Sequence, residues 1–110
     1  MSRITKNLSS TFTERVIKIA LSIPPGKVTT YGRIARAAGS GGMAAQSITA
    51  ILGKAYNSGI KNIPFHRIVY AGGKIWVDAK HRTERMKLYK KEGIIVNATD
   101  RIVNFENVLL

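Results

Sequence analysis

The stretch Pro64-Phe65-His66-Arg67-Ile68-Val69 places an aromatic ring, an imidazole and a guanidinium on three successive positions. An imidazole titrates close to neutrality and can take the proton of a nucleophile beside it. Phe65 is no such nucleophile, because a phenyl ring has no lone pair with which to attack a carbon. The chain contains no cysteine, which removes thiol catalysis, disulfides and cysteine-based zinc sites together. His66 and His81 are its only histidines, so neither a structural metal site nor a cofactor is expected. Tyr31 and Tyr70 offer hydroxyls instead, but neither has an activating base beside it in the sequence. Taken alone, Phe65 reads as a core ring. Its flanks Pro64 and His66-Arg67 admit a second reading, the wall of a pocket.

Charge narrows the partners. The chain has 110 residues with 18 Lys and Arg against 6 Asp and Glu, a formal net charge of +12. Such an excess repels itself in the folded state and attracts polyanions, nucleic acid first among them, although a solvated basic surface has the same composition. A hydrophobic content of 45% suffices for one core, and a single domain over residues 1–110 is expected. No apolar run approaches the ~20 residues of a spanning helix. Residues 1–7 do not lead into a signal-peptide pattern. The expectation is a cytoplasmic protein with no membrane partner, associated with the nucleoid in a bacterium or nuclear in a eukaryote.

The elements that must position these residues are legible in outline. Thr11-Phe12-Thr13-Glu14 has the form of a capping box. Phe12, Val16, Ile19, Ala20 and Ile23 then keep helical spacing until Pro24-Pro25-Gly26. A second helix begins near Thr30, with Tyr31, Ile34, Ala35 and Ala38 on one face and Gly39 at its end. Ser40-Gly41-Gly42 turns into a third helix over residues 43–56, with an apolar stripe of Ala44, Ile48, Ile51, Leu52 and Ala55. Two helices joined by a glycine-containing turn form a helix-turn-helix. Ile68-Val69-Tyr70 and Lys74-Ile75-Trp76-Val77, linked by Ala71-Gly72-Gly73, read as a hairpin. Asp78 is placed to cap a last basic helix ending at Glu92-Gly93, with His81 on its surface, and extended segments are expected after Ile94. The predicted fold is α/β, a small winged-helix-like domain with a helix-turn-helix and a short β-hairpin wing.

Ala45, Gln46, Ser47, Ala50 and Gly53 lie off the apolar stripe of the third helix and are small apart from Gln46. A helix that reads major-groove bases projects Arg, Asn or Gln at their edges. A face of small residues suits close approach of backbone to a groove, or equally the packing of helix on helix. Gln46 has two readings as well, a DNA contact or an exposed helical residue.

These pieces, in this order, resemble the DNA-binding domain of the O6-alkylguanine-DNA alkyltransferases over residues 12–93. The family's active-site motif runs Pro, Cys, His, Arg and two apolar residues, and Phe65 stands at the cysteine. Ile23-Pro24-Pro25-Gly26-Lys27-Val28-Thr29-Thr30-Tyr31-Gly32 resembles the segment that leads a Pro-Gly turn into Thr or Ser and then Tyr. Ala44-Ala45-Gln46 is similar to the Ala-Ala-Arg opening of the recognition helix. Asn57, eight residues before Phe65, resembles the hinge asparagine, and Glu92 lies in a Lys-Glu-Gly context like that of the family's acid. An aromatic residue in place of the cysteine is the mark of the alkyltransferase-like proteins, which bind the lesion without repairing it.

The resemblance implies roles. Tyr31, with Thr30 beside it, would press on the phosphate and rotate the target nucleotide out of the stack, at a cost of a few kcal/mol. Gln46, between Ala45 and Ser47 on the DNA-binding helix, would fill the gap, without the charge and stacking surface of the family's arginine. Phe65, Tyr31, Val69 and Trp76 would line the lesion pocket. Asn57, His66, Arg67 and Glu92 would support it, the last two polar groups of the proton relay now being a hydrogen-bonded pair, His66 with Glu92. The lesion-probing arginine of the alkyltransferase-like proteins maps onto Asp78, and Lys80, Arg82, Trp76 or Lys74 are substitutes at the same mouth. The implied protein is a monomer that binds double-stranded DNA containing O6-alkylguanine and marks it for nucleotide excision repair proteins. The other class open to the sequence is a winged-helix regulator or architectural DNA-binder without lesion specificity.

Overall fold

Thr11 starts the first helix as its pattern requires. Its Oγ1 accepts the Glu14 N–H at 3.0 Å, and the Glu14 carboxylate accepts the Thr11 N–H at 3.1 Å, which satisfies two donors that a helix start would otherwise leave open. The computed structural model describes residues 11–39 and 45–110. Within them the chain divides into two units, one comprising Gly32–Ile63 with the segment ending at Ser22, the other Ile23–Tyr31 with Pro64–Leu110.

The first unit is helical. Helix α1 (Phe12–Leu21) buries Val16 and Ala20, and Ser22 closes it by donating its hydroxyl to the Ile19 carbonyl. Helix α2 (Tyr31–Ala37) buries Ile34 and Ala35, and Arg15 Nε donates to the Ala38 carbonyl beyond its end at 2.8 Å. Helix α3 (Ala45–Asn57) packs on α1 and buries Ile48, Leu52 and Ala55 of the expected stripe, with Ile51 half-buried. Full burial of each large aliphatic contributes about 1.5–3 kcal/mol. The two helices of the expected helix-turn-helix are present, while the turn at Ser40-Gly41-Gly42, the start of the third helix at Met43 and the stripe residue Ala44 lie outside the described residues.

The second unit carries the sheet. Strands β1 (Thr29–Thr30) and β2 (Ile68–Val69) pair in parallel, Thr29 opposite Ile68 and Thr30 opposite Val69. Parallel neighbours need a long crossover, and the intervening chain supplies the helices of the other unit. Its core is Val28, Val69, Ile75, Tyr89, Ile94 and Ile102. The arms of the expected hairpin meet at one turn, where the Tyr70 N–H donates to the Lys74 carbonyl at 2.9 Å over the short 3-10 segment Ala71–Gly73. Their ladder partners lie elsewhere: β2 takes β1, and Lys74 bridges Arg101 in the tail. Gly72 and Gly73, both at positive φ, turn the chain away before the arms can pair along their length.

Helix α4 (Arg82–Lys91) begins later than Asp78 suggests. Asp78 instead accepts the His81 N–H at 2.8 Å and so caps the turn that precedes the helix, leaving His81 on the surface. The tail is more varied than extended segments. Val96 bridges Ile102, Leu109 bridges Val28, and a short helix α5 (Phe105–Val108) lies between, started by Asn104 in the left-handed region.

Candidate functional site

Pro64 leads into a 3-10 turn, Phe65–Arg67, which packs against α4. The turn presents its three side chains differently: Phe65 and Arg67 are half-buried and His66 is buried. At the other end of α4, Glu92 caps the helix through its backbone N–H to Leu88 and turns its carboxylate back to the motif. Its side chain is 7% exposed and that of His66 is 9% exposed, and the two meet at 2.7 Å, the pair the sequence suggests. Arg67 joins them with a fork, Nη2 to Glu92 at 2.7 Å and Nε at 3.1 Å, while its Nη1 donates to the Ile23 carbonyl at 2.9 Å. The Gly26 N–H donates to Glu92 as well, at 2.9 Å. One carboxylate thus ties the Ile23–Gly26 turn, the motif turn and the end of α4 together.

The electrostatics follow from these contacts. Burial pushes the Glu92 carboxyl up, but the hydrogen bonds from Arg67, Gly26 and His66 outweigh it and hold the group at about 2. Burial also lowers the pKa of His66, against the pull of Glu92. At neutral pH the pair is therefore a carboxylate and a neutral imidazole. An ionised carboxylate only accepts, so Nε2 of His66 carries the proton and donates it to Glu92. Such a pair orients an imidazole for proton transfer, yet Phe65 beside it has no proton to give.

Tyr89, unnoticed in the sequence, braces the motif from behind. It is buried, its hydroxyl donates to the His66 carbonyl at 2.5 Å, and the two rings meet edge to face at 5.8 Å. Burial raises its phenol above the ordinary range, and the neighbouring Tyr31 and Glu92 push the same way. An aromatic ring within a largely charged helix is the signal that could have found it.

The other expected site residues separate. Thr30 lies in β1, and Tyr31 opens α2 with its ring 5.5 Å from that of Tyr70. Val69, expected at the pocket, lies in the core. It is 0% exposed there with Val28 and Ile75, because both faces of β2 are covered. Trp76 is exposed, its ring under the Arg85 guanidinium at 5.8 Å and its carbonyl accepting from Arg85 at 3.1 Å. Among the candidates for the mouth, Arg82 is paired with Asp100 at 2.6 Å and Asp78 with His81. Ala45 begins α3, Gln46 and Ser47 follow on its exposed side, and Asn57 ends it; these four belong to the first unit, the motif to the second. Among the described residues no cluster of three His, Cys, Asp or Glu could hold a metal, and no helix is long and apolar enough to cross a membrane.

Two curated relatives called DNA base-flipping protein, from Escherichia coli (strain K12) and Shigella flexneri, are each 34% identical over 91 residues, covering 83% of this chain and 68% of theirs. The fold is shared with S. pombe Atl1, solved in complex with damaged DNA containing O6-carboxymethylguanine, at a TM-score of 0.71 and 24% identity over 90% of this chain and 94% of that one. Mycobacterium tuberculosis O6-methylguanine methyltransferase superposes with a TM-score of 0.56 and 28% identity, over 76% of this chain and 49% of its own. Residues 11–94 match the family model of the DNA-binding domain of 6-O-methylguanine DNA methyltransferase, and it is to this family that the chain belongs.

Proposed function

We propose that this protein senses O6-alkylguanine in duplex DNA by turning the modified nucleotide out of the helix, and that it transfers no alkyl group itself. One observation carries the reading. The ionic cluster of His66, Arg67 and Glu92 is complete, while the neighbouring motif position holds Phe65 in a chain without a single cysteine. A relative named for base flipping and the Atl1 fold seen on damaged DNA support it.

In this reading Tyr31 rotates the nucleotide, Gln46 fills the vacated stack, and Thr30, Ala45 and Ser47 lie along the backbone. Phe65 and Trp76 receive the base, offering dispersion and stacking where an alkyl acceptor would otherwise be. Asn57 supports the approach, and Val69 stiffens the wall from the core. Extrusion costs a few kcal/mol, less for a base whose pairing is already weakened, so damage lowers the barrier to recognition. The bound monomer then marks the site for nucleotide excision repair in the cytoplasm or nucleus.

The test is a paired titration with duplexes identical except for one O6-methylguanine or guanine, repeated over a salt series. Affinity for both should fall steeply with salt as Lys and Arg release counterions, and the methylated duplex should bind more tightly throughout. Equal affinities would leave a winged-helix DNA-binder without lesion specificity. Protein mass after the incubation should be unchanged. A stoichiometric gain of one methyl group would instead make it an acceptor.

A further inference from the structure

Tyr70 follows the motif directly and is 44% exposed, a large ring at the surface with no part in the cluster around Glu92. Its place opposite Tyr31 is a consequence of the sheet. β1 and β2 run parallel with Thr29 opposite Ile68 and Thr30 opposite Val69, so the next step of the register sets Tyr31 opposite Tyr70. Side chains directly opposite on parallel strands point to the same face, about 5 Å apart. The rings accordingly lie with centroids 5.5 Å apart and planes tilted by 40°. The backbone of Tyr70 is held on both sides, its N–H donating to Lys74 at 2.9 Å and its carbonyl accepting from Gly73 at 3.0 Å. Tyr31 stands at the first position of α2.

We propose that Tyr70 is a positioning residue for lesion recognition: it holds the Tyr31 ring in the orientation that Tyr31 uses against the extruded nucleotide. The inference rests on the reading of Tyr31 given above. A tilted aromatic pair favours one ring orientation over its alternatives, and an orientation set before binding is not ordered at the expense of affinity. Tyr70 needs no contact with DNA for this. It acts through Tyr31, and its effect disappears when Tyr31 is absent.

That dependence gives the test, a double-mutant cycle on the full chain with Tyr31→Ala, Tyr70→Ala and the pair, each titrated against the O6-methylguanine and guanine duplexes. Tyr70→Ala is expected to reduce the ratio of the two affinities by about 2- to 10-fold, the range that one aromatic pair contributes. In the Tyr31→Ala background the same change should do nothing. Tyr70→Phe, which keeps the ring, should restore the ratio, and Tyr70→Leu, which keeps apolar bulk without it, should not. A fluorescent base analogue opposite the lesion should report less opening of the stack in Tyr70→Ala. If wild type shows no lesion preference, the reading of Tyr31 fails and this inference with it. If wild type shows the preference and Tyr31→Ala loses it while Tyr70→Ala keeps it, only the role of Tyr70 is overturned. Additive losses in the cycle would also overturn it, since Tyr70 would then act independently of Tyr31.

Discussion

Glu92→Gln isolates the contribution of the buried carboxylate. The carboxyl is held at about 2 in place of its ordinary 4.5. That difference corresponds to about 3 kcal/mol of folding stability at neutral pH, or about 2 kcal/mol once solvent screening at the edge of the site is allowed for. Glutamine keeps one acceptor and adds an N–H₂ that faces donors from His66, Arg67 and Gly26. It also leaves the Arg67 guanidinium, 17% exposed, without its counter-charge. A loss of about 2–3 kcal/mol is expected at pH 7, lowering Tm by on the order of 10 °C. The sign of the pH dependence is fixed by the direction of the shift. A carboxyl with a depressed folded-state pKa stabilises fully above 4.5, and that stability is lost as pH falls through about 2. The gap between wild type and variant should therefore be widest at neutral pH, shrink below 4.5 and close near 2. His66, whose pKa burial lowers, loses stability in the same direction from an earlier point, below 6.5, in both proteins. Urea unfolding followed by circular dichroism at pH 7, 4 and 2.5 measures the gap. Equal midpoints at pH 7, or a gap that does not close in acid, would refute the ionised cluster.

Gly73→Ala should destabilise by about 1–3 kcal/mol, because a Cβ there would sit 2.9 Å from Phe105 Cγ on a backbone at φ +90°, and denaturant midpoints will show it. Tyr89→Phe removes the donor to the His66 carbonyl and should cost about 1–2 kcal/mol in the same assay, an unchanged midpoint meaning that water replaces it. Gln46→Arg adds charge and a stacking surface, so both duplexes should bind more tightly and the salt slope steepen by about one phosphate contact. Gln46→Ala should lose about 1–3 kcal/mol of binding; unchanged affinity would mean that another residue fills the gap.

Local signals were legible and non-local ones were not. Thr11 and Glu14 mark a helix start by a rule that spans four residues, and the stripe of Ile48, Leu52 and Ala55 marks a buried face by its spacing alone. The sheet has no such signature. Each strand is two residues long, and helices α2 and α3 separate the partner of Ile68–Val69 from it in the sequence, where no periodicity reaches. The hairpin expectation failed for that reason, since it assigned the strand its sequence neighbour. Val69 shows the same limit within the motif: an apolar residue at its end reads alike whether it faces a pocket or a core. In the cluster, His66 with Glu92 could be read through the family resemblance, whereas the Gly26 N–H and the Ile23 carbonyl could not, because main-chain groups carry no residue type.

The cluster is intelligible without a nucleophile. Glu92 accepts from two segments separated widely along the chain, the Ile23–Gly26 turn and the motif turn, and each donor is buried or partly so. Withdrawing the carboxylate would strand Arg67 and loosen the turn at Ile23–Gly26 and the turn that bears Phe65 at once. A group that tunes a thiol and a group that braces a turn can therefore be the same carboxylate, held by the same bonds. In a chain without cysteine the bracing function still acts, and it acts on the turn that bears Phe65. A pocket that selects by stacking needs a wall that does not yield, for a ring free to move forfeits part of its contact when the base arrives. Tyr89, bonded to the His66 carbonyl, and Arg67, bonded to the Ile23 carbonyl, supply that stiffness. In this chain the polar machinery is thus expected to contribute to affinity for the lesion entirely through the rigidity of Phe65–Arg67, and substitutions in it should weaken folding and lesion preference together.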